Sequence, residues 1–215
     1  MGAGAARVAV WDVPVRIVHW LFVLLIPFSW WTAEQDMMAW HYRSGIALLG
    51  LLVFRIVWGL IGSSTARFAS FVRGPRTVFD YLRGRAEFVL GHNPLGALSV
   101  LALLAMTALQ VGLGLFASDE DGLESGPLAH LVDGDTAEEI AELHEAAFNV
   151  LAALIAIHVA AILYYALVRR KNLVGPMVTG RTEAPAGTAP MRPGGALRFL
   201  LAAAVAFGAM WWVSA

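Results

Sequence analysis

The sequence predicts an all-α integral membrane protein: a four-helix transmembrane bundle plus a fifth, C-terminal transmembrane helix. Three observations predict it. The chain is 59% hydrophobic and 14% charged, where soluble domains carry about 25% charged residues. Its apolar residues gather into five runs long enough to cross a bilayer. The charges lie mostly between the runs, with basic and acidic residues in alternate connections. The chain has no cysteine, which excludes disulfides, iron–sulfur clusters, thiolate-bound zinc and covalently attached haem.

The elements follow in order. Span one is expected at residues 15–31, with Asp12 as N-cap, Pro14 in the first turn and Pro27 kinking its far end. Trp11, Trp20, Trp30 and Trp31 suit the interfacial belts. This run contains His19 and no small-residue cleavage site follows it, so it does not read as a cleavable signal. Span two is expected at 41–61, span three at 94–116 and span four at 143–168. The stretch 77–84 reads as a short interfacial helix. A last span, 197–214, has no ionisable residue after Arg198 and reads as a plain anchor. The expected organisation is a bundle over residues 1–175, a Pro/Gly-rich cytoplasmic linker over 176–195 and a transmembrane anchor over 196–215.

Orientation follows from the basic residues. Arg7 and Arg16, then Arg67, Arg73, Arg76, Arg83 and Arg85, then Arg169, Arg170, Lys171, Arg181, Arg192 and Arg198 mark three cytoplasmic regions. The other two connections have no Lys or Arg. One carries Glu34 and Asp36; the other carries Asp119, Glu120, Asp121, Glu124, Asp133, Asp135, Glu138, Glu139 and Glu142. The expected location is the bacterial cytoplasmic (inner) membrane, with the N-terminus cytoplasmic and the C-terminus periplasmic.

The histidines carry the chemistry. His144 and His158 lie on span four, about 21 Å apart along the axis and within about 40° of one face. One therefore sits near each side of a hydrocarbon core about 30 Å thick. An ionisable residue inside a span is a functional hypothesis by default. By depth, His19 matches His158 on the inner side and His41 matches His144 on the outer side. Each pair comes from two helices, as axial coordination of one planar macrocycle requires, and Gly45, Ala147 and Ala161 leave room beside them. A single histidine at a helix end is more often a packing residue; four at two matched depths are hard to obtain by accident. A bare zinc or copper site wants clustered ligands instead. Arg55, at the inner depth, needs an anion, and a haem propionate would serve. Arg16 could do the same inside and Arg43 outside. His130, in the acidic connection, is expected to be solvated. In GHNPLG, Asn93 and Pro94 suit a helix start, while His92 and Asn93 also offer polar groups to a quinone.

The segments VWDVPVRIVHW (10–20), HYRSGIALLGLLVFRIVWGLIG (41–62), GHNPLGALS (91–99), HEAAFNVLAALIAIH (144–158) and NLVGPMVTG (172–180) together resemble the bacterial cytochrome b561 type, close to the b-type cytochrome subunits of nickel–iron hydrogenases. The resemblance covers most of residues 8–180. It implies a four-helix bundle holding two b haems and exchanging electrons between a membrane quinone and another redox carrier. The family's ligand positions match His19, His41, His144 and His158, in agreement with the depth argument. The long acidic outer connection and the final span depart from the family pattern.

The expected function is therefore a transmembrane di-haem b-type cytochrome of a respiratory chain. It would act as an electron-transfer component between the quinone pool and a partner at the periplasmic face. Bis-histidine iron has no open position, which favours electron transfer over oxygen activation. The expected partners are quinone at His92 and Asn93 and a basic-surfaced c-type cytochrome or enzyme subunit at the acidic connection, with the bilayer as surroundings and no nucleic acid. One alternative is a superoxide:quinone oxidoreductase, although the outer carboxylates would repel that anion. Another is a non-redox scaffold or transporter with structural histidines, which the absence of inverted repeats disfavours.

Overall fold

The computed structural model describes residues 6–85 and 88–215; the first five residues of the expected 1–175 bundle lie outside them. The chain opens with strand β1 (Ala6–Ala9), followed by α1 (Val13–Glu34) and α2 (Met38–Ile61). Two short helices come next, α3 (Phe68–Phe71) and α4 (Pro75–Leu82), then the long pair α5 (Pro94–Phe116) and α6 (Gly134–Leu167). Helix α7 (Val174–Thr179), strand β2 (Arg181–Ala184) and α8 (Ala196–Ser214) complete it. Helices α1, α2, α5, α6 and α8 are long and apolar enough to cross a membrane, so the fold is an all-α membrane bundle.

Local chemistry sets the helix starts. Asp12 Oδ1 accepts the Val15 N–H at 2.8 Å, with Pro14 in the first turn. Asn93 Oδ1 accepts the Gly96 N–H at 2.7 Å, and Pro94 opens α5. Each cap satisfies a backbone donor that has no intrahelical partner. Between α1 and α2 the turn is tight, and Asp36 takes the left-handed φ of 53° there.

The structure departs from the expected elements in three places. Span four begins at Gly134 rather than 143, because Asp133 caps it, accepting the Thr136 N–H at 3.0 Å and the Thr136 hydroxyl at 2.8 Å. Its 34 residues span about 51 Å, well beyond a core of about 30 Å. Asp135, Glu138, Glu139 and Glu142 therefore sit on a projecting helix and not in a loop. The segment expected as a linker is partly folded. Gly180 ends α7 at a φ of 76°. Its carbonyl accepts the Val10 and Trp11 N–H groups at 2.8 and 3.2 Å, and β2 pairs antiparallel with β1 from Ala6↔Ala184 to Ala9↔Arg181. Finally, α8 does not stand apart but packs along α2. Met210 Sδ lies where a Cβ on Gly50 would be, and Phe199 meets Phe54 and Trp58 at 5.6 and 6.3 Å between ring centres.

Helix α2 is the hub, touching α1, α8 and α5, while α6 packs on α5. The main apolar core lies where α1, α2 and α8 meet, around Val15, Val18, Phe54, Trp58, Ala202 and Ala206. Two ends of the bundle differ in charge. The arginine-rich end holds the β1–β2 pair, α4 and α7; the acidic end holds the α1–α2 turn and the connection into α6.

Asp12 ties α1 to α2, since its Oδ2 also accepts the Trp58 indole N–H at 2.9 Å. Asp12→Ala should remove a helix cap, worth about 0.5–2 kcal/mol, and strand a buried indole donor at a cost of about 1–3 kcal/mol. Its unfolding midpoint in detergent should fall clearly, with Asp12→Asn retaining most of the stability.

Candidate functional site

At the acidic end, α2 presents His41 and α6 presents His144. Their ring centres are 6.1 Å apart and the planes are at 90°. Each ring is oriented by a neighbouring helix. The His41 Nδ1–H donates to the Ser29 carbonyl of α1 at 2.9 Å, and the His144 Nδ1–H donates to the Gln110 carbonyl of α5 at 2.9 Å. Donation from Nδ1 fixes the tautomer and puts the lone pair of each ring on Nε2; the Gln110 side-chain amide nitrogen lies 3.2 Å from His144 Nε2 and would give way to a metal there. An imidazole nitrogen sits about 2 Å from a bound metal and about 1.1 Å from its own ring centre, so two rings on opposite sides of one ion have centres about 6 Å apart. The observed spacing meets that condition. Gly114 makes room for the His144 ring, since a Cβ there would come within 2.8 Å of His144 Cε1. A Cβ on Gly45 would meet nothing within 4 Å.

The acidic connection folds back onto the end of α5. Gly126 N–H bonds the Ala117 carbonyl at 2.7 Å and Leu128 N–H the Leu115 carbonyl at 2.8 Å. Ser118 and Ser125 pair through their hydroxyls at 2.7 Å. Its carboxylates point outward: of the nine acids, Glu138 alone is half-buried and the rest are exposed. His130 is exposed there as well. Arg43 is exposed, with its guanidinium 5.1 Å from the Trp40 ring centre.

At the basic end, α1 carries His19 and α6 carries His158. The Ser99 hydroxyl of α5 is 3.3 Å from His158 Nδ1, whereas His19 Nδ1 is shielded and has no hydrogen-bond partner among the described residues. Three more nitrogens at this end are shielded and have no partner among the described residues. Arg55 is 7% exposed and its guanidinium sits 5.2 Å from the Phe68 ring centre, yet Nη1 has no partner. Arg16 donates from Nη1 to the Val178 carbonyl and leaves Nε unpartnered. His92 is wedged between Trp11 and Phe71, at 4.6 and 4.5 Å, with Nδ1 unpartnered. Shielded cations without acceptors are costly unless an anion joins them, and the carboxylates of a porphyrin are such anions.

Asn93, by contrast, is fully engaged: Oδ1 caps α5 and Nδ2 donates to the Tyr165 hydroxyl at 3.3 Å. Tyr165 in turn bonds Tyr81 of α4 at 2.6 Å. Among the described residues no cluster of three His, Cys, Asp or Glu could hold a metal ion. Ser29, Ser99, Gln110 and Gly114 were not among the residues singled out from the sequence. Gln110, a side-chain amide deep in an apolar span, is the one its chemistry could have flagged.

An apolar bundle that sets His41 and His144 ring to ring, with glycine beside one ring and shielded arginines at the other end, fits iron porphyrin. It defines a haem-binding membrane protein. A family model described as prokaryotic cytochrome b561 matches residues 10–180, and the chain belongs to that family. It is a transmembrane b-type cytochrome of electron transfer, binding b-type haem. Helix α8 lies beyond the matched segment. Searches of curated proteins and of solved structures returned no match.

Enclosure between the rings, then the charges of Arg55, His158 and His19, holds the His92 imidazole down at about 3. Above the ordinary value of 6.5 it is neutral in both folded and unfolded chain and costs nothing. Below that value the unfolded chain gains a proton that the folded one refuses, so stability falls as pH drops from 6.5 towards 3. One proton limits the slope to about 1.4 kcal/mol per pH unit. His92→Phe should flatten this part of the stability–pH curve, measured by unfolding in detergent.

Proposed function

We propose that this cytochrome carries two b haems in line across the bacterial cytoplasmic membrane and passes electrons between the quinone pool and a redox partner at its acidic, periplasmic face. In this reading His41 and His144 hold one haem at the acidic end, and His19 and His158 hold the other at the basic end. The observation that carries it is the perpendicular His41–His144 pair at 6.1 Å, each Nδ1 spent on a neighbouring carbonyl. Donation from Nδ1 makes Nε2 the better ligand. Arg55 and Arg16 are assigned to the propionates at the basic end because each keeps a shielded N–H without an acceptor. Arg43, exposed over Trp40, lends its own assignment less support. A haem held by these imidazoles would supply one-electron exchange, which favours electron transfer over oxygen activation.

The orientation rests on the arginines, which favour the cytoplasmic side. It places the N-terminus inside and the C-terminus outside. For quinone we favour the basic end beside His158, with His92 as the donor to a carbonyl oxygen. Asn93 was an equal candidate from the sequence, but both ends of its amide are taken. At the other face the exposed carboxylates between Asp119 and Glu142 make a field that attracts a basic surface and speeds its encounter. A soluble c-type cytochrome or a partner subunit with such a surface fits, and the acidic-end haem lies directly beneath.

Haem counting tests the assignment. The intact chain should bind two haems, and His41→Ala or His144→Ala should remove one, as should His19→Ala or His158→Ala. Variants from different pairs should lose spectrally different haems. One haem per wild-type chain, or four variants that keep full haem content, would end this reading.

The partner surface has its own test. Electron exchange with the native partner, followed by stopped flow, should slow steeply as salt rises from 0.01 to 0.15 M, where the screening length shrinks from about 30 to about 8 Å. Joint neutralisation of Asp119, Glu120, Asp121 and Glu124 should slow it at low salt. A rate indifferent to both moves the docking surface elsewhere.

A further inference from the structure

Helix α4 is amphipathic, but its apolar residues are not packed away. Phe79 is 59% exposed and Leu82 62% exposed. Around them a groove is lined by Arg76, Arg83 and Arg85, with Asp80 as its one acid among the described residues. The Arg85 N–H bonds the Asp80 carbonyl at 2.8 Å, which folds the chain back over the helix end and brings the third guanidinium to the first two. The groove is net positive and opens beside bare hydrocarbon.

The depth of α4 is fixed independently. Tyr81, on the helix between these residues, bonds Tyr165 at 2.6 Å. Tyr165 lies two residues before the end of the membrane-spanning α6, about 3 Å along its axis. The clamp therefore holds α4 at the level where a bilayer changes from acyl chain to headgroup. A basic helix with exposed Phe and Leu at that level lies in the interface.

We propose that α4 and the turn after it form a binding site for one anionic phospholipid. Arg76, Arg83 and Arg85 hold the phosphodiester, and Phe79 and Leu82 rest against the first part of the acyl chains. The groove answers both halves of that molecule. Three guanidiniums suit phosphate oxygens, and the adjoining apolar side chains are more than half exposed. A soluble phosphate would use the first half alone.

The test uses the haem-loaded full chain in detergent, titrated with phosphatidylglycerol or phosphatidylcholine and read by native mass spectrometry. Phosphatidylglycerol should bind more tightly, and each Arg→Gln change at 76, 83 or 85 should weaken it about fivefold, until the triple variant no longer distinguishes the lipids. Phe79→Ser should weaken both lipids. Inorganic phosphate at equal concentration should not displace phosphatidylglycerol. Equal binding of the two lipids by the wild type, an unchanged preference in the triple variant, or displacement by phosphate alone each overturns the proposal. An unaltered haem spectrum confirms that the variants are folded, and should the triple variant lose it the single changes decide. Because the chain has no cysteine, Phe79→Cys accepts a single nitroxide label in vesicles containing phosphatidylglycerol. The label should be open to oxygen and shielded from a water-soluble nickel chelate. The opposite accessibility places α4 in water and overturns the site.

Discussion

A membrane interior has no water to complete an unfinished hydrogen bond, and this constraint governs the arrangement of the bundle. A histidine that offers Nε2 to a metal still has an Nδ1–H to place. His41 gives its proton to the Ser29 carbonyl, which also accepts the Thr32 hydroxyl at 2.8 Å. His144 gives its own to the Gln110 carbonyl. The helices that supply carbonyls are thus as closely fixed as the helices that supply rings. This gives α5 a role, although it carries no histidine within its span: through Ser99 and Gln110 it touches both histidines of α6. The same constraint makes the basic end informative. Among the described residues, Arg16, His19, Arg55 and His92 each keep a shielded nitrogen without a partner, and a site with several such atoms in one place is built for a polar guest.

Packing supports this chemistry from behind. The α1–α2–α8 core buries Trp58 to 2% exposure and Ala202 completely, and the indole of Trp58 is fixed by Asp12. Arg55 is carried on the same helix, a turn before Trp58, so its position follows from a well-packed segment rather than from its own contacts. The close approach of α8 requires a residue without a side chain at Gly50, because Met210 occupies that space. Helix α8 is outside the segment shared with the family, yet it completes the core against which α2 is held.

What the sequence revealed and what it hid divide along a physical line. The starts of α1 and α5 were legible because Asp12 and Asn93 act within three residues of themselves. The approach of His41 to His144 was legible because a helix rises by a constant amount per residue. The structure brings His41 and His144 together as that argument required. The nine-residue extension of α6 was obscured by acids that resemble a loop, although Asp133 before Thr136 is itself a capping signal. Ser29 and Ser99 were hidden because a serine in a span can bond its own helix. Only the fold shows which one faces a ring. The contact between α2 and α8 and the pairing of β1 with β2 depend on residues far apart in sequence, and no local pattern encodes either.

The β1–β2 pair has a consequence for how the protein is made. It joins Ala6 to Ala184 and Ala9 to Arg181, and the Met191 N–H bonds the Ala9 carbonyl beside it at 2.9 Å. Residues that leave the ribosome first must wait for residues that leave it after four spans have been synthesised. Such a contact pays a large loop-closure cost until the spans between have assembled. Trp11, which stacks on His92, follows directly on β1 and is held by the same Gly180 carbonyl. The basic end of the bundle therefore closes only after four spans and β2 have been synthesised, and the pocket around His92 is completed late in biosynthesis.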